Sequence, residues 1–293
     1  IKQYKKKKTV KGVKLARGLS LNPSPNLEKK LKGIKTKIIN ISELTLSATK
    51  LVTYDKCPKK FKYENIWKAG SNLPNPNMYR GSVFHDVVKQ AGEAQQKGKI
   101  MTVKQLTDAY TAQWDYTKFL DFGNTKESQE RGNMKKMLGV YKKWVDTSRN
   151  KVVAIEQPFS LKIKGILIKG KIDRVEVTPT GDLWVVDYKT GTWPPKSPKK
   201  DIQLTVYSLA CLKLYGKLPA RAMLFYPMND PNNKKKKRFY DFSVTPAIFK
   251  TSMKEIEGLV DRIKNLDFKA TPGGGKYGVC GMCDFRTICE DAK

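Results

Sequence analysis

Apolar positions along the chain recur first at helical and then at strand spacing. Near Leu46, Ser47 can cap a helix that carries Leu51 and Tyr54, and Cys57-Pro58 ends it because proline cannot continue the hydrogen-bond ladder. Phe61, Tyr63, Ile66 and Trp67 follow as an aromatic packing segment. A second helix starts near Tyr79 and includes His85, Val87 and Val88, and residues from about Val103 to Ser148 read as further helices, with Leu106, Tyr110 and Trp114 four apart. The period then shortens. Residues 152–155, 159–168, 172–177 and 183–186 alternate or run apolar in strand fashion. Asp201 can cap a helix from Ile202 to Tyr215, with Gly216 as its stop. Ala222 to Tyr226 and Phe239 to Val244 read as strands, and Pro246 to Ile263 as a helix. Helices on both sides of a short run of strands predict a mixed α/β core.

The stretch before this pattern is different in kind. Residues 1–45 contain Lys5-Lys6-Lys7-Lys8 and Asn22-Pro23-Ser24-Pro25 with little periodicity, and are expected to form a basic, partly extended arm ahead of a domain spanning 46–293. The chain as a whole carries 58 Lys+Arg against 27 Asp+Glu, a net charge of +31. A protein with that field meets polyanions at an enhanced rate, so a nucleic-acid partner is expected. No run of about 18 apolar residues spans a membrane, and no basic amphipathic helix suggests one as a partner. The five cysteines, an odd number, do not read as a secreted disulfide framework, which points to a reducing, intracellular compartment.

Two acidic residues stand out against this charge. Gly170-Lys171-Ile172-Asp173-Arg174-Val175-Glu176-Val177 is joined to Leu183-Trp184-Val185-Val186-Asp187-Tyr188-Lys189 by Thr178-Pro179-Thr180-Gly181-Asp182. Pro179-Thr180-Gly181 suits a hairpin loop with Gly in the left-handed position. Thr178 would then face Asp182, and the register counted back sets Asp173 opposite Asp187. Side chains so placed lie about 5 Å apart. Two carboxylates at that distance call for a proton or a cation between them, and Mg²⁺ suits a few hard oxygen ligands. Alternation puts Lys189 on the face of Asp187, where an ammonium can position water or stabilise charge on a phosphate.

These segments resemble the RecB-like branch of the PD-(D/E)XK nuclease superfamily. The likeness rests on Gly81-x-x-x-His85, Glu156-Gln157-Pro158-Phe159, Gly170-Lys171-Ile172-Asp173-Arg174, Val186-Asp187-Tyr188-Lys189-Thr190-Gly191 and Gln203-x-x-x-Tyr207, in that order between about Leu46 and Cys289. The resemblance implies a restriction-endonuclease-like core, a short mixed β-sheet flanked by helices, with a helical insertion. It also implies that His85, Asp173, Asp187 and the Tyr188 carbonyl bind Mg²⁺ or Mn²⁺, and that Lys189 is the catalytic lysine. Glu156 would be an accessory acid, with Gln203 and Tyr207 on one helical face toward the site and the DNA. His85 is the only histidine in the chain.

Four cysteines form a second constellation. Cys280-x-x-Cys283-x5-Cys289 lies far from Cys57 in the chain, and thiolates so arranged can surround either zinc or an iron–sulfur cluster. The pattern is similar to the iron–sulfur staple of AddB-type nucleases and their CRISPR-associated relatives, which implies a [4Fe–4S] cluster in a cysteine-rich C-terminal segment. Cys211, on an apolar helix, is expected to be core.

The expected activity is a Mg²⁺- or Mn²⁺-dependent deoxyribonuclease, an exonuclease acting on single-stranded DNA or DNA ends, in recombination, repair or replication and alongside helicase or recombination proteins. The competing expectation is a non-catalytic DNA-end-binding subunit. Arg174, Trp193, Lys196, Lys199, Lys200, Lys235 and Arg238 are the expected DNA contacts, through phosphates or, for Trp193, base stacking. No Walker A sequence is present in the chain, so a helicase motor would lie elsewhere.

Overall fold

The computed structural model describes residues 41–69, 76–194, 197–230, 232–233, 236–275 and 278–292. The expected basic arm, apart from residues 41–45, and the expected DNA contacts Lys196 and Lys235 lie outside them. The described residues fall into two compact units. One comprises 41–43, 56–69, 262–275 and 278–292, and the other 44–55, 76–194, 197–230, 232–233 and 236–261.

The larger unit is built on a mixed sheet. Its strands are β1 (Thr45–Leu46), β2 (Lys151–Ile163), β3 (Ile166–Val177), β4 (Leu183–Tyr188), β5 (Arg221–Phe225) and β6 (Phe239–Ser243). They lie in the order β1-β3-β4-β5-β6, with β2 pairing along the other side of β3. Pairing is parallel for β1–β3 and β4–β5 and antiparallel for the rest. The α-helices of the described residues are α1 (Ala48–Lys56), α2 (Pro58–Phe61, in the smaller unit), α3 (Pro76–Gln96), α4 (Val103–Gln113), α5 (Gly123–Thr147), α6 (Ile202–Tyr215) and α7 (Pro246–Lys264). No helix of the described residues is long and apolar enough to cross a membrane.

The helical insertion α3–α5 packs on one face of the sheet. Phe84, Val87, Val88, Leu106, Tyr110, Met134, Met137 and Tyr141 form one core with Val186, Tyr188 and Phe225 of the sheet. The Thr102 capping box fixes the start of α4. Helix α6 begins at Asp201, whose carboxylate accepts from the Leu204 N–H at 2.9 Å, and ends at Gly216 in the left-handed conformation, as its sequence predicts. Burial pushes the Cys211 thiol on that helix up to about 12, so it is core and unreactive at neutral pH.

The sequence pattern over 159–168 reads as one strand, but the chain reverses inside it. Lys164 and Gly165 both have positive φ (50° and 84°) and form the tip of a hairpin between β2 and β3. A two-residue loop with both φ values positive matches the twist of the strands it joins. Asn-Gly would have announced such a turn, and Lys-Gly does so far more weakly.

A second correction concerns Arg174. It is only 1% exposed and its Nε donates to Glu176 Oε1 at 2.6 Å, while Nη1 donates to Gln95 and the guanidinium lies 5.1 Å from the Trp144 ring centroid. Burial among α3, α5 and the sheet removes it from any nucleic acid. Breaking such a buried pair by removing one charge typically costs about 3–5 kcal/mol. Arg174→Met is therefore expected to lower unfolding stability by that order, read by urea denaturation, because Glu176 keeps a buried charge with no cation. A loss below about 1 kcal/mol, the level of an exposed pair, would contradict the assignment.

Candidate active site

The β3–β4 hairpin has the register its sequence predicts. Val177 pairs with Leu183, Glu176 with Trp184, Val175 with Val185 and Arg174 with Val186, so the next position sets Asp173 opposite Asp187. The loop closes through Thr178 N–H to Asp182 O (2.9 Å) and Gly181 N–H to Thr178 O (2.9 Å). Gly181 takes φ 85°, which a side chain would resist.

The two acids are buried unequally. Asp187 is 1% exposed. Its Oδ2 lies 2.7 Å from Lys189 Nζ, yet that buried oxygen has no well-directed hydrogen bond. Asp173 Oδ2 accepts the Tyr188 backbone N–H at 2.9 Å and lies 3.6 Å from His85 Nδ1. Burial, and after it the Asp187 charge, pushes the Asp173 carboxyl well above the usual carboxylate range. Burial lowers the His85 pKa, with Asp187 and Glu156 opposing, which favours the neutral imidazole that can act as a ligand. Burial alone would depress Lys189 as well, but the Asp187 carboxylate outweighs it and holds the ammonium charged.

Glu156 joins this group from the strand beside Asp173. It sits in β2 with φ 49°, a backbone conformation that costs a non-glycine residue roughly 1–3 kcal/mol. The buried positions of β2 are Val152 and Ala154 before it and Phe159, Leu161 and Ile163 after it; the facing changes at a bulge between Val152 and Ala154, and from Ala154 to Ile163 the register with β3 is unbroken, which sets Glu156 opposite Asp173. The result is that ligand atoms of His85, Glu156 and Asp173 all lie within 4.8 Å of one another. The family resemblance implied only an accessory role for Glu156.

The cavity between these groups is lined by Thr49, Val52, His85, Asp173, Asp187, Tyr188, Lys189 and Gln203. Gln203 accepts from Lys189 Nζ through Oε1 and donates through Nε2 to the Tyr207 hydroxyl at 2.7 Å. The two helix residues are thus chained to the lysine. Burial, with Asp187 and Asp173 next, pushes the Tyr207 pKa up, so its hydroxyl keeps its proton. An imidazole and three carboxylates, those of Glu156, Asp173 and Asp187, form a donor set that fits a hard divalent cation.

The backbone just past Lys189 is held by residues that sequence reasoning missed. Arg80 Nη2 donates to the Thr190 carbonyl at 3.0 Å, and Nη1 donates to Glu130, itself 1% exposed. Lys126 and Asn133 complete the Glu130 network. Gly81 explains the close approach, since a Cβ there would lie 2.8 Å from Thr190 Oγ1. The signal was present in Arg80-Gly81, immediately before the spacing to His85.

The remaining expected contacts are scattered. Trp193 is 72% exposed, with Lys236 Nζ 3.9 Å from its ring centroid. Lys199 and Lys200 lie in an exposed turn where Lys200 pairs with Glu255 at 3.3 Å. Arg238 is half-buried and its Nε donates to the Asn229 carbonyl at 3.0 Å.

In the smaller unit, Cys57, Cys280, Cys283 and Cys289 line one cavity together with Lys60, Tyr63 and Arg286. None is disulfide-bonded. Cys57 precedes Pro58 at the start of α2, and the other three sit on successive turns, with Cys283 N–H to Cys280 O (3.2 Å) and Cys289 N–H to Phe285 O (2.9 Å). Phe285 packs on Tyr63 at 5.2 Å. Burial raises the Cys283 pKa, and the Cys57 and Cys289 thiols add to it.

Residues 45–290 match the model of the PD-(D/E)XK nuclease superfamily. The chain is 25% identical over 285 residues to the Gene 69 protein of Mycobacterium phage L5, covering 83% of this chain and 95% of that protein. It is 26% identical over 270 residues to the Gene 69 protein of Mycobacterium phage D29, with the same coverage. A solved structure described as "Crystal structure of SSO0001" aligns over 90% of this chain and 92% of that chain, at 16% identity and a TM-score of 0.39.

The Gly81 contact yields a double-mutant test. Gly81→Ala is expected to destabilise the protein by about 1–3 kcal/mol, the usual cost of overpacking. Adding Thr190→Ala removes the clashing oxygen and should restore most of it in thermal unfolding. Additive losses in the pair would contradict the contact.

Proposed function

We propose that this chain, which belongs to the PD-(D/E)XK nuclease superfamily, is a divalent-metal-dependent deoxyribonuclease acting as an exonuclease on single-stranded DNA or DNA ends. The observation that carries the reading is the convergence of His85, Glu156 and Asp173 beside Asp187, whose buried oxygen lacks a well-directed hydrogen bond, with Lys189 at 2.7 Å. His85, Asp173, Glu156 and Asp187 would hold the cation, with Tyr188 contributing its backbone. A bound Mg²⁺ or Mn²⁺ would supply Lewis acidity toward the phosphate and lower the pKa of attacking water. Lys189, kept protonated by Asp187, orients water and offsets charge building on the phosphate oxygens. Gln203 holds that ammonium in place and is itself oriented by the Tyr207 hydroxyl. Trp193, Lys199, Lys200 and Arg238 are proposed contacts for the DNA.

The alternative, a non-catalytic end-binding subunit, accounts for the charge of +31. It offers no reason for two acids and a lysine to be assembled in a half-buried cleft, and catalysis is the favoured reading.

The cysteine cavity is proposed to hold a [4Fe–4S] cluster that ties Cys57 to the C-terminal segment. Support comes from four unbridged thiols on one cavity, a donor set that suits iron–sulfur ligation and that zinc could also use.

Two measurements test these assignments. With labelled single-stranded DNA and Mg²⁺, Lys189→Ala and Asp187→Ala should each lower the cleavage rate at least about a hundredfold, the scale of a lost acid–base or electrostatic group. Equal rates in wild type and Lys189→Ala would remove the lysine from the mechanism. Protein purified anaerobically should be brown and contain iron and acid-labile sulfide, and a colourless protein with stoichiometric zinc would overturn the cluster.

A further inference from the structure

The outer half of the β2–β3 hairpin has two unlike faces. Phe159, Leu161, Ile163, Ile166 and Ile168 are buried. Between them, Pro158, Ser160, Lys162, Lys169 and Lys171 are exposed. In an antiparallel pair, residues directly opposite share a face. The register pairs Pro158 with Lys171, Ser160 with Lys169, and Lys162 with Leu167. Lysine therefore occurs at each of three successive rungs on the exposed face. Rungs are two residues apart, about 6.8 Å, a repeat comparable with that of an extended single-stranded phosphate backbone.

The ladder has a direction. Counting one rung inward from Pro158 and Lys171 reaches Glu156 and Asp173, two of the three grouped metal donors. Lys171 Nζ reaches back to Glu156 Oε2 at 3.4 Å, which joins the first rung to the site. Lys162 and Lys169 have no ion-pair partner among the described residues. A helix surface would offer carboxylates at i+4 to such lysines, as Lys104–Asp108 and Lys142–Asp146 do elsewhere in the chain. Among the described residues, this strand face offers none beyond the site acids themselves. β2 is also the edge of the sheet along its length, so no further strand of the described residues pairs with the hairpin on that side.

We infer that the exposed face of this hairpin is the track of the substrate strand: Lys171, Lys169 and Lys162 bind successive phosphates of a single strand that runs from the metal site toward the tip at Lys164-Gly165. The inference rests on the nuclease reading and adds the path and the single-stranded class of substrate to it. Each lysine acts as a point charge on a phosphate, so the track carries no sequence preference. It requires a strand several nucleotides long, because the outer rungs lie beyond the reach of a fragment seated at the metal site.

The test is binding of oligothymidylates of roughly three and roughly twelve nucleotides, followed by fluorescence anisotropy in Ca²⁺ over a series of salt concentrations. Wild type, Lys162→Ala/Lys169→Ala and a charge-matched control, Lys135→Ala/Lys136→Ala on the exposed side of α5, are compared. Loss of two phosphate contacts to a single strand should reduce the slope of log K against log salt by roughly 1.4 for the long oligomer only. Binding of the short one and the melting temperature should be unchanged. The control should match wild type. A hairpin variant that behaves like the control, or that weakens short and long oligomers equally, would overturn the track. Absence of Mg²⁺-dependent cleavage by the wild type would overturn the underlying nuclease reading instead, and a preference for duplex of the same length would overturn the single-stranded path.

Discussion

Two carboxylates held opposite each other across antiparallel strands are the constraint on which the proposed chemistry depends, because that arrangement is unfavourable until a proton or a cation answers it. Asp173 and Asp187 sit one register position beyond Arg174–Val186, in a cleft where burial already penalises charge. Much of the surrounding structure supports the placement. Lys189 answers Asp187 directly, and Gln203 and Tyr207 hold Lys189. Arg80 grips the next carbonyl along from inside the helical insertion, through a buried ion pair that would be costly to break. Glu156 is set opposite Asp173 by the β2–β3 register and holds a left-handed backbone conformation there.

A second buried pair sits behind the first. Arg174 and Glu176 alternate with Asp173 and Val175 on β3, so the strand carries a structural ion pair on its helix-covered face and Asp173 on the other. The same strand, continued outward past Ile172, carries Lys171 and Lys169 on exposed positions. One strand thus serves three roles along its length: internal anchor, acidic centre and basic surface.

Much of this was legible in the sequence, for identifiable reasons. The hairpin register followed from a short loop with one glycine, and a count of residues then placed Asp173 and Asp187 together. His85 was traceable because it is the sole histidine at a motif spacing. The caps at Asp201 and Gly216 fixed α6 to the residue. What was hidden depends on facing and on φ. An arginine beside Asp173 in a chain of charge +31 reads as a DNA contact, and only the packing of α3 and α5 reveals Arg174 as buried. The reversal at Lys164-Gly165 lies within an apolar run whose alternation continues through it. The backbone conformation at Glu156 has no compositional marker, since Glu has no preference for the left-handed region.

The central claim is that these acids and His85 form one cation site. Its most direct test is an anomalous difference map from crystals soaked in Mn²⁺, which locates the ion without reference to activity. The account predicts a strong peak within bonding distance of His85, Asp173 and Glu156 or Asp187, lost in Asp173→Ala. A map whose Mn²⁺ lies away from His85 and both aspartates, with this cleft bare at saturating ion, would contradict it.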